Sequence, residues 1–511
     1  MSTIPVTPAS GDPTSTRKYP RWYATLFALD TLERFGFYGM QAILVLYAVA
    51  PKSRGGLGLP VADAASLFGA WIALFFLASL PGGWLGDRVL GSRRALLVGA
   101  VLSTIGYLFL ATPGGWFTAI GLCLLAAGGG LYKPNHQAML NLMYGNDIGR
   151  REAGISLMWT GVQTSALIAP LVTGFIGEKL SWNLAFVVAA AAMALTAVLV
   201  AMSTTQFGET GARPIRPLED DVRRKVRNRT LVVAGVVAVL LIGAGIGGAL
   251  SASMAIGLTG LLSLIFPIIG YRAVYRNKLL NTGDRRRLRG FLWVFLGAAL
   301  FWMIIAHAGS LLNLFALNHV DREILGWTIP ASWLMVATPA FMLVLAPFFA
   351  WWLPRLGRRD NVGVKFAIGL LLVGGSFLLM SVATLVALDG TKVSPLWLVA
   401  VYFAHACGEL IVAAVTIAAA GDVLPRQFMG RTLGLLYLFA ALGGGVGAGV
   451  VRLAEVVPEP LYYLGLGSAA ALAGLAFAIG RRRLTRSLLP GSDEPDQAAA
   501  PEQEPPQRLA A

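Results

Sequence analysis

Residues 22–50 read WYATLFALDTLERFGFYGMQAILVLYAVA, an apolar run interrupted by Asp30, Glu33 and Arg34. About 20 apolar residues suffice to cross a bilayer as one α-helix. Inside such a helix an ionisable group is costly, so each one is a functional candidate by default. Spacings of three, four, four and three place Asp30, Glu33 with Arg34, Phe37 with Tyr38, and Gln41 along one helical face. A carboxylate beside an arginine can stay charged in a dry site, and its protonation would release the arginine and change what it binds. Three charges on one face exceed what helix packing requires, which sets a functional cluster above a static structural ion pair.

The rest of the chain has the same character. It has 511 residues, 56% hydrophobic and 13% charged. A soluble protein carries about 25% charged residues. Runs such as 184–202 and 367–387 are long enough to span a membrane and alternate with short basic clusters. The net charge of +15 does not indicate nucleic-acid binding, because the basic residues sit in loops between apolar runs. Cys123 and Cys407 both lie in apolar segments, far apart, with no disulfide or metal-ligand spacing. The first 20 residues are polar, and no small-residue cleavage site follows the run at 22–50, which reads as a retained helix.

Fourteen spans are expected in an all-α polytopic membrane protein. A tail, 1–21, precedes a six-helix bundle over 22–203. A basic linker, 204–230, leads to a two-helix hairpin, 231–275, and a second basic linker, 276–288. A second six-helix bundle covers 289–480, and a tail, 481–511, is too poor in apolar residues to fold alone. The clusters at Arg88, Arg93 and Arg94, at Arg150 and Arg151, in both linkers, at 355–359 and at 481–483 all fall on the side of the termini. The opposite loops carry few basic residues, such as Lys52, Arg54 and Lys179. The basic side is therefore expected to be cytoplasmic, with both termini there. The string GGWLGDRVLGSRR at 82–94 is echoed by WLPRLGRR at 352–359 in the second half. Paired six-helix halves with matching loops fit a transporter that rocks about a central site.

Other ionisable residues fall at membrane depth. The fourth span contains GGGLYKPN at 128–135, with glycines that permit close helix approach and Lys133 beside Pro134. Lys133 needs an anionic partner, either a carboxylate of the first span or one on the solute. Glu409 in the tenth span can hold an amine or a proton, with His405 one turn earlier. For His405 a hydrogen-bonded packing role is the stronger reading; His307 stands between packing and function; His319 falls in a loop; His136 lies near Lys133. No metal-ligand spacing, phosphate loop or nucleophile constellation supports a membrane enzyme. Scattered single charges and an internal duplication fit alternating access better than a ring-lined pore.

On these motifs the chain resembles the proton-dependent oligopeptide transporters (POT) of the major facilitator superfamily. DTLERFGFY at 30–38 is similar to that family's ExxERFxYY motif. Residues 83–94 resemble the superfamily loop, in which Gly83, Asp87, Arg88, Arg93 and Arg94 would serve conformational gating. KPN at 133–135, AGSLLNLFA at 308–316, IPASW at 329–333 and GEL at 408–410 resemble the family's fourth, seventh, eighth and tenth spans. The resemblance covers nearly the whole chain and implies the major facilitator fold with two extra central helices, usual in bacterial members. It implies proton-driven import of di- and tripeptides across the bacterial inner membrane, by a protein needing no cofactor. Proton coupling would fall to Asp30, Glu33, Arg34, Lys133 and Glu409, and Glu409 would also hold the peptide's amino end. The expected partners are the solute, protons and lipid, with a monomer sufficient; the alternative is a proton-coupled transporter, importer or exporter, of a non-peptide solute.

Departures from the family pattern lie in the solute-binding positions. The motif's first Glu is Asp30 and its first Tyr is Phe37. The arginine that helps bind the peptide carboxylate aligns with Gln41, the fifth-span asparagine with Gln163 and the eighth-span asparagine with Thr338. A seventh-span acid aligns with Ala306, beside His307, and the second-span tyrosine with Trp71. Tyr38, Gln41, Trp71, Gln163, His307, Thr338 and Glu409 are therefore the expected solute contacts. Replacing Arg by Gln removes a charge-assisted, often bidentate contact to carboxylate. Weak affinity for ordinary dipeptides, or a preference for bulkier peptide-like solutes, is expected.

Overall fold

The structure, a computed structural model, describes residues 19–145, 147–215, 252–352, 362–425 and 428–488, with isolated positions between these segments. The first half contains α1 (Arg21–Val49), α2 (Val61–Leu85), α3 (Ser92–Ala111), α4 (Gly115–Tyr144), α5 (Ile148–Phe175) and α6 (Trp182–Met202). A single long helix follows in the described part of the centre, α7 (Ala252–Tyr275). The second half contains α8 (Thr282–Ala306), α9 (Leu311–Asn318), α10 (Ala337–Trp352), α11 (Val362–Val386), α12 (Leu396–Val423), α13 (Met429–Val450) and α14 (Glu459–Leu488).

Among the described residues, 12 helical segments are long and apolar enough to cross a membrane, one of them formed by α8 and α9 together. α1, with its three buried charges, is a further helix of spanning length. The expected span at 231–250 and most of the echo loop at 352–359 lie outside the described residues. α14 differs from expectation: it continues past position 480 through Arg481, Arg482 and Arg483 to Leu488. The seventh span is also not continuous. α8 stops at Ala306, a 3-10 turn covers His307–Gly309, and α9 restarts at Leu311. The break sits where Phe68 of α2 and Gln41 of α1 press on Gly309, so that a Cβ there would run into the Phe68 ring. A two-residue antiparallel strand pair, Glu323–Ile324 with Trp327–Thr328, follows α9. The eighth span then opens with a 3-10 segment, Ala331–Val336, ahead of α10.

The glycines of α4 set the packing that carries Lys133. Gly128 lies against Gly99 and Ser103 of α3, Gly129 against the Phe75 ring of α2, and Gly130 against Ala78 of α2. The missing side chains of these glycines let α4 approach α2 and α3 closely, as small residues do between membrane helices. Pro134 follows inside the helix, and Asn135 donates to the Gly82 carbonyl at 3.0 Å and the Leu131 carbonyl at 2.7 Å. That amide ties α4 to α2 next to a residue that cannot donate.

Several hydrogen bonds and an ion pair join the halves on the side away from the N-terminus. Ser66 of α2 donates to the Ala448 carbonyl of α13 at 2.8 Å, and Arg452 pairs with Asp63 at 3.4 Å. Asn313 of α9 donates to the Ala42 carbonyl of α1 at 2.7 Å. Glu178, in the π-helical turn Ile176–Leu180 after α5, accepts from Ala331 N at 2.7 Å, Ser332 N at 3.0 Å and Ser332 Oγ at 2.6 Å. These donors are the open N-terminal turn of the eighth span, where a helix leaves N–H groups unsatisfied and favours an anion. Arg322 approaches Glu178 at 3.9 Å while donating to the Ile329 and Leu317 carbonyls. Burial pushes the Arg322 guanidinium down from its usual value, and Glu178 opposes that shift.

Candidate functional site

Two ion pairs sit side by side where α1 meets α4. Arg34 grips Glu33 through two hydrogen bonds, Nε to Oε2 at 2.6 Å and Nη2 to Oε1 at 2.8 Å. Both side chains are under a tenth exposed. The guanidinium carbon lies 4.6 Å from the centre of the Phe37 ring, one turn along, where the π face favours a cation. Lys133 Nζ donates to Asp30 Oδ1 at 3.0 Å, so the lysine's anionic partner is the first-span carboxylate. The sequence suggested one cluster; the structure divides it into two pairs, one within α1 and one bridging α1 and α4.

The two pairs differ in access. Glu33 and Arg34 are buried, whereas Lys133 keeps about a fifth of its side chain exposed. Tyr132 holds the crossing in place by donating to the Leu29 carbonyl at 3.1 Å. A bidentate pair in a low-dielectric site is stable while both members are charged, and removing one charge leaves the other costly to hold.

The expected solute positions divide into three groups. Tyr38 and Glu409, which belong to opposite halves, are both half-buried. Trp71 lies under Phe37 at 5.3 Å between ring centres, and its indole N–H has no partner within the chain. The Gln41 carbonyl oxygen and the Thr338 hydroxyl are likewise buried without partners. Gln163 of α5 reaches the second half, with its amide 3.4 Å from Met342 Sδ of α10. Buried polar atoms are normally satisfied, so unpaired ones along the interface of the halves fit a surface that meets a solute.

His307 is placed otherwise. It is buried inside the second half, with Nδ1 2.8 Å from the Met303 carbonyl and Nε2 2.7 Å from the Tyr462 hydroxyl. Both ring nitrogens are engaged within the chain, and the ring lies beside a small cavity that Ala65 and Phe68 of α2 also line. His405 is buried, with Nε2 3.1 Å from Ser376 Oγ and Nδ1 without a partner within the chain. In the loop at 82–94, Arg93 donates to the Gly208 carbonyl at 2.9 Å and its backbone N–H to the Gly211 carbonyl at 3.0 Å. The loop is therefore docked on the segment that follows α6. Gly83 packs against Pro134, while Asp87 and Arg94 are exposed and Arg88 accepts from Leu218 N through its carbonyl.

Tyr437, not singled out from sequence, joins this surface, as does His136, which was expected near Lys133. Tyr437 of α13 stacks on Phe76 of α2 at 6.2 Å and donates to Gln137 of α4 at 3.3 Å, on the side of the N-terminus. His136 lies 3.7 Å from Asp30. Gln137 and His136 follow Lys133 by four and three residues, so the face of α4 that carries the lysine carries them too.

A sequence model of the POT family matches residues 93–464. The chain belongs to the POT family. It is 30% identical over 482 residues to the di-/tripeptide transporter of Lactococcus lactis subsp. cremoris, a match covering 91% of this chain and 96% of that protein. A solved structure of a peptide transporter POT in complex with sulfate superposes with a TM-score of 0.86 at 34% identity, covering 92% of this chain and 96% of the other. A POT family transporter solved with 5-aminolevulinic acid gives a TM-score of 0.85 at 28% identity, covering 91% and 97%. The major facilitator architecture expected from the motifs is thus the architecture of this POT chain, which is a multi-span membrane transporter.

Proposed function

We propose that this POT protein is a proton-coupled symporter that imports di- or tripeptides, or peptide-like small solutes, by alternating access across the bacterial inner membrane, with both termini cytoplasmic. The observation that carries this reading is the pair of buried ion pairs, Glu33–Arg34 and Asp30–Lys133, on the helices that face the second half. A proton on either carboxylate cancels one charge and frees its cation. The freed Lys133 ammonium or Arg34 guanidinium can then hold a solute carboxylate, while Glu409 across the interface can hold a solute amine. A solute gripped from both halves couples its own binding to their closure. One charge moved through about 100 mV supplies roughly 2.3 kcal/mol, enough for on the order of tenfold accumulation of a neutral solute.

Gln41, Trp71 and Thr338 shape what is carried. With a neutral amide where an arginine would read a terminal carboxylate, Lys133 is the principal cation for that group. The Phe37–Trp71–Phe75 wall favours apolar side chains, with ring centres 5.0–6.0 Å apart. Proteoliposomes with an inward proton gradient should accumulate solute, and a panel of di- and tripeptides, including bulky apolar ones, should compete. A panel that neither accumulates nor competes would remove the peptide assignment in favour of a non-peptide solute. Reversing the gradient reports the direction.

A further inference from the structure

We infer that His136 is a proton-holding partner of Asp30, so that in this protein a coupling proton sits between an imidazole and a carboxylate. The ring's other edge fixes its tautomer. His136 Nε2 lies 2.9 Å from the Leu26 carbonyl oxygen. A carbonyl only accepts, so Nε2 carries a hydrogen. In the neutral ring Nδ1 is then a bare lone pair, and it faces Asp30 Oδ1 at 3.7 Å. Two acceptors cannot bond, and that separation exceeds hydrogen-bond length. One added proton at Nδ1 converts the contact into a charge-assisted hydrogen bond from imidazolium to carboxylate.

The surroundings fix what that proton does. His136 is buried, held on one face by the stacked Tyr132 ring, 6.0 Å between centres. The charged groups whose fields reach it are Asp30 and Glu33 of α1 and Lys133 of its own helix. Asp30 Oδ1 already accepts from Lys133, so an imidazolium on the same oxygen sets two cations side by side on one carboxylate, where they repel. Protonation at Nδ1 therefore loosens the Asp30–Lys133 pair without neutralising Asp30. Lys133, the more exposed member, is released toward the solute, and loss of the proton restores the pair. The ring does not contact the solute in this scheme; it positions Lys133 through the carboxylate. The inference rests on the proton-coupled reading above for its consequence, while the place of the proton can be tested alone.

Nitrogen-15 NMR of histidine-labelled protein in lipid nanodiscs tests that place. The chain has four histidines, and His136 is identified by its loss in His136→Gln. Near neutral pH the ring should be the Nε2–H tautomer, and on acidification it should become imidazolium. Asp30→Asn should move that transition to lower pH by about one unit or more, because the stabilising anion is gone. An Nδ1–H tautomer, a ring that stays neutral from pH 8 to pH 5, or a transition indifferent to Asp30→Asn would overturn the inference. In transport, His136→Gln leaves the carboxylates alone, each already paired with a cation, to take the proton. Its profile of gradient-driven uptake should shift acid by about one pH unit, roughly a tenfold higher proton concentration. Uptake lowered by one factor at every pH marks a merely structural role and also overturns it. A wild-type protein without gradient-driven uptake would count against the transport reading, and the NMR result would still decide the proton's place.

Discussion

Glu33 is the residue on which the bidentate pair depends. Glu33→Gln keeps the shape and removes the titrating charge, so gradient-driven uptake should fall by at least about tenfold while solute counterflow persists. Unchanged driven uptake would take Glu33 out of the coupling scheme. Glu33→Ala is a harsher change, because Arg34 would stay buried without its partner; a loss of about 3–5 kcal/mol is expected, read as lower thermal stability in detergent. Gln41→Arg restores a cation beside the helix break and should raise affinity for free-carboxylate peptides on the order of tenfold, measured by competition. No change would mean that selectivity is set elsewhere. The importance of Asp30, Glu33, Arg34 and Lys133 was legible from the cost of charge in an apolar run. Their pairing was not, because neighbours on one helix face and residues a hundred positions apart offer equal chemistry until the crossing of α1 and α4 is known. The partners of His307 were hidden for the same reason: sequence shows a polar ring in an apolar span, not which way it turns.

At the scale of the element, the crossing of α2 and α4 depends on atoms that are missing. A Cβ on Gly82 would run into the Gly130 carbonyl. Gly82→Ala should therefore destabilise the protein by about 1–3 kcal/mol, seen as a lower melting temperature, with a matching loss of uptake as Lys133 moves off Asp30. An unchanged melting temperature would show that the two helices can part without cost. The glycine triplet in α4 announced close approach, but its three different neighbours on two helices could not be read from one strand of sequence. Span lengths were legible because bilayer thickness fixes them. The interruption at His307–Gly309 was not, since the groups packed against Gly309, Phe68 and Gln41, lie on other helices. The extension of α14 through Arg481–Arg483 was missed because charge was taken as the end of a helix, although it marks only the end of the apolar part.

For the whole molecule, the contacts between halves on the side away from the N-terminus describe a transporter closed on that side. Glu178 contributes three hydrogen bonds to that closure. Glu178→Ala should shift the balance between closed and open outer sides by about 10- to 100-fold, since bonds to a charged acceptor are worth roughly 1.5–3 kcal/mol. Spin labels at the exposed Ser53 and Thr391, in a background with the exposed Cys123 replaced by Ser, report it as a longer distance population. An unaltered distance distribution would assign the closure to the α2–α13 contacts instead. The duplication of halves was legible from loop echoes and span count, but which face is shut is a property of two bodies, and no single segment encodes it.

Two of the three groups that Glu178 grips are peptide N–H groups, which every residue except proline supplies. In a survey of variants its position should therefore be intolerant, whereas at Ala331, which is buried, small residues should be accepted and proline rejected. Searches for co-varying residue pairs would find little trace of this bridge between the halves, because one side of it is written in backbone rather than in side-chain identity.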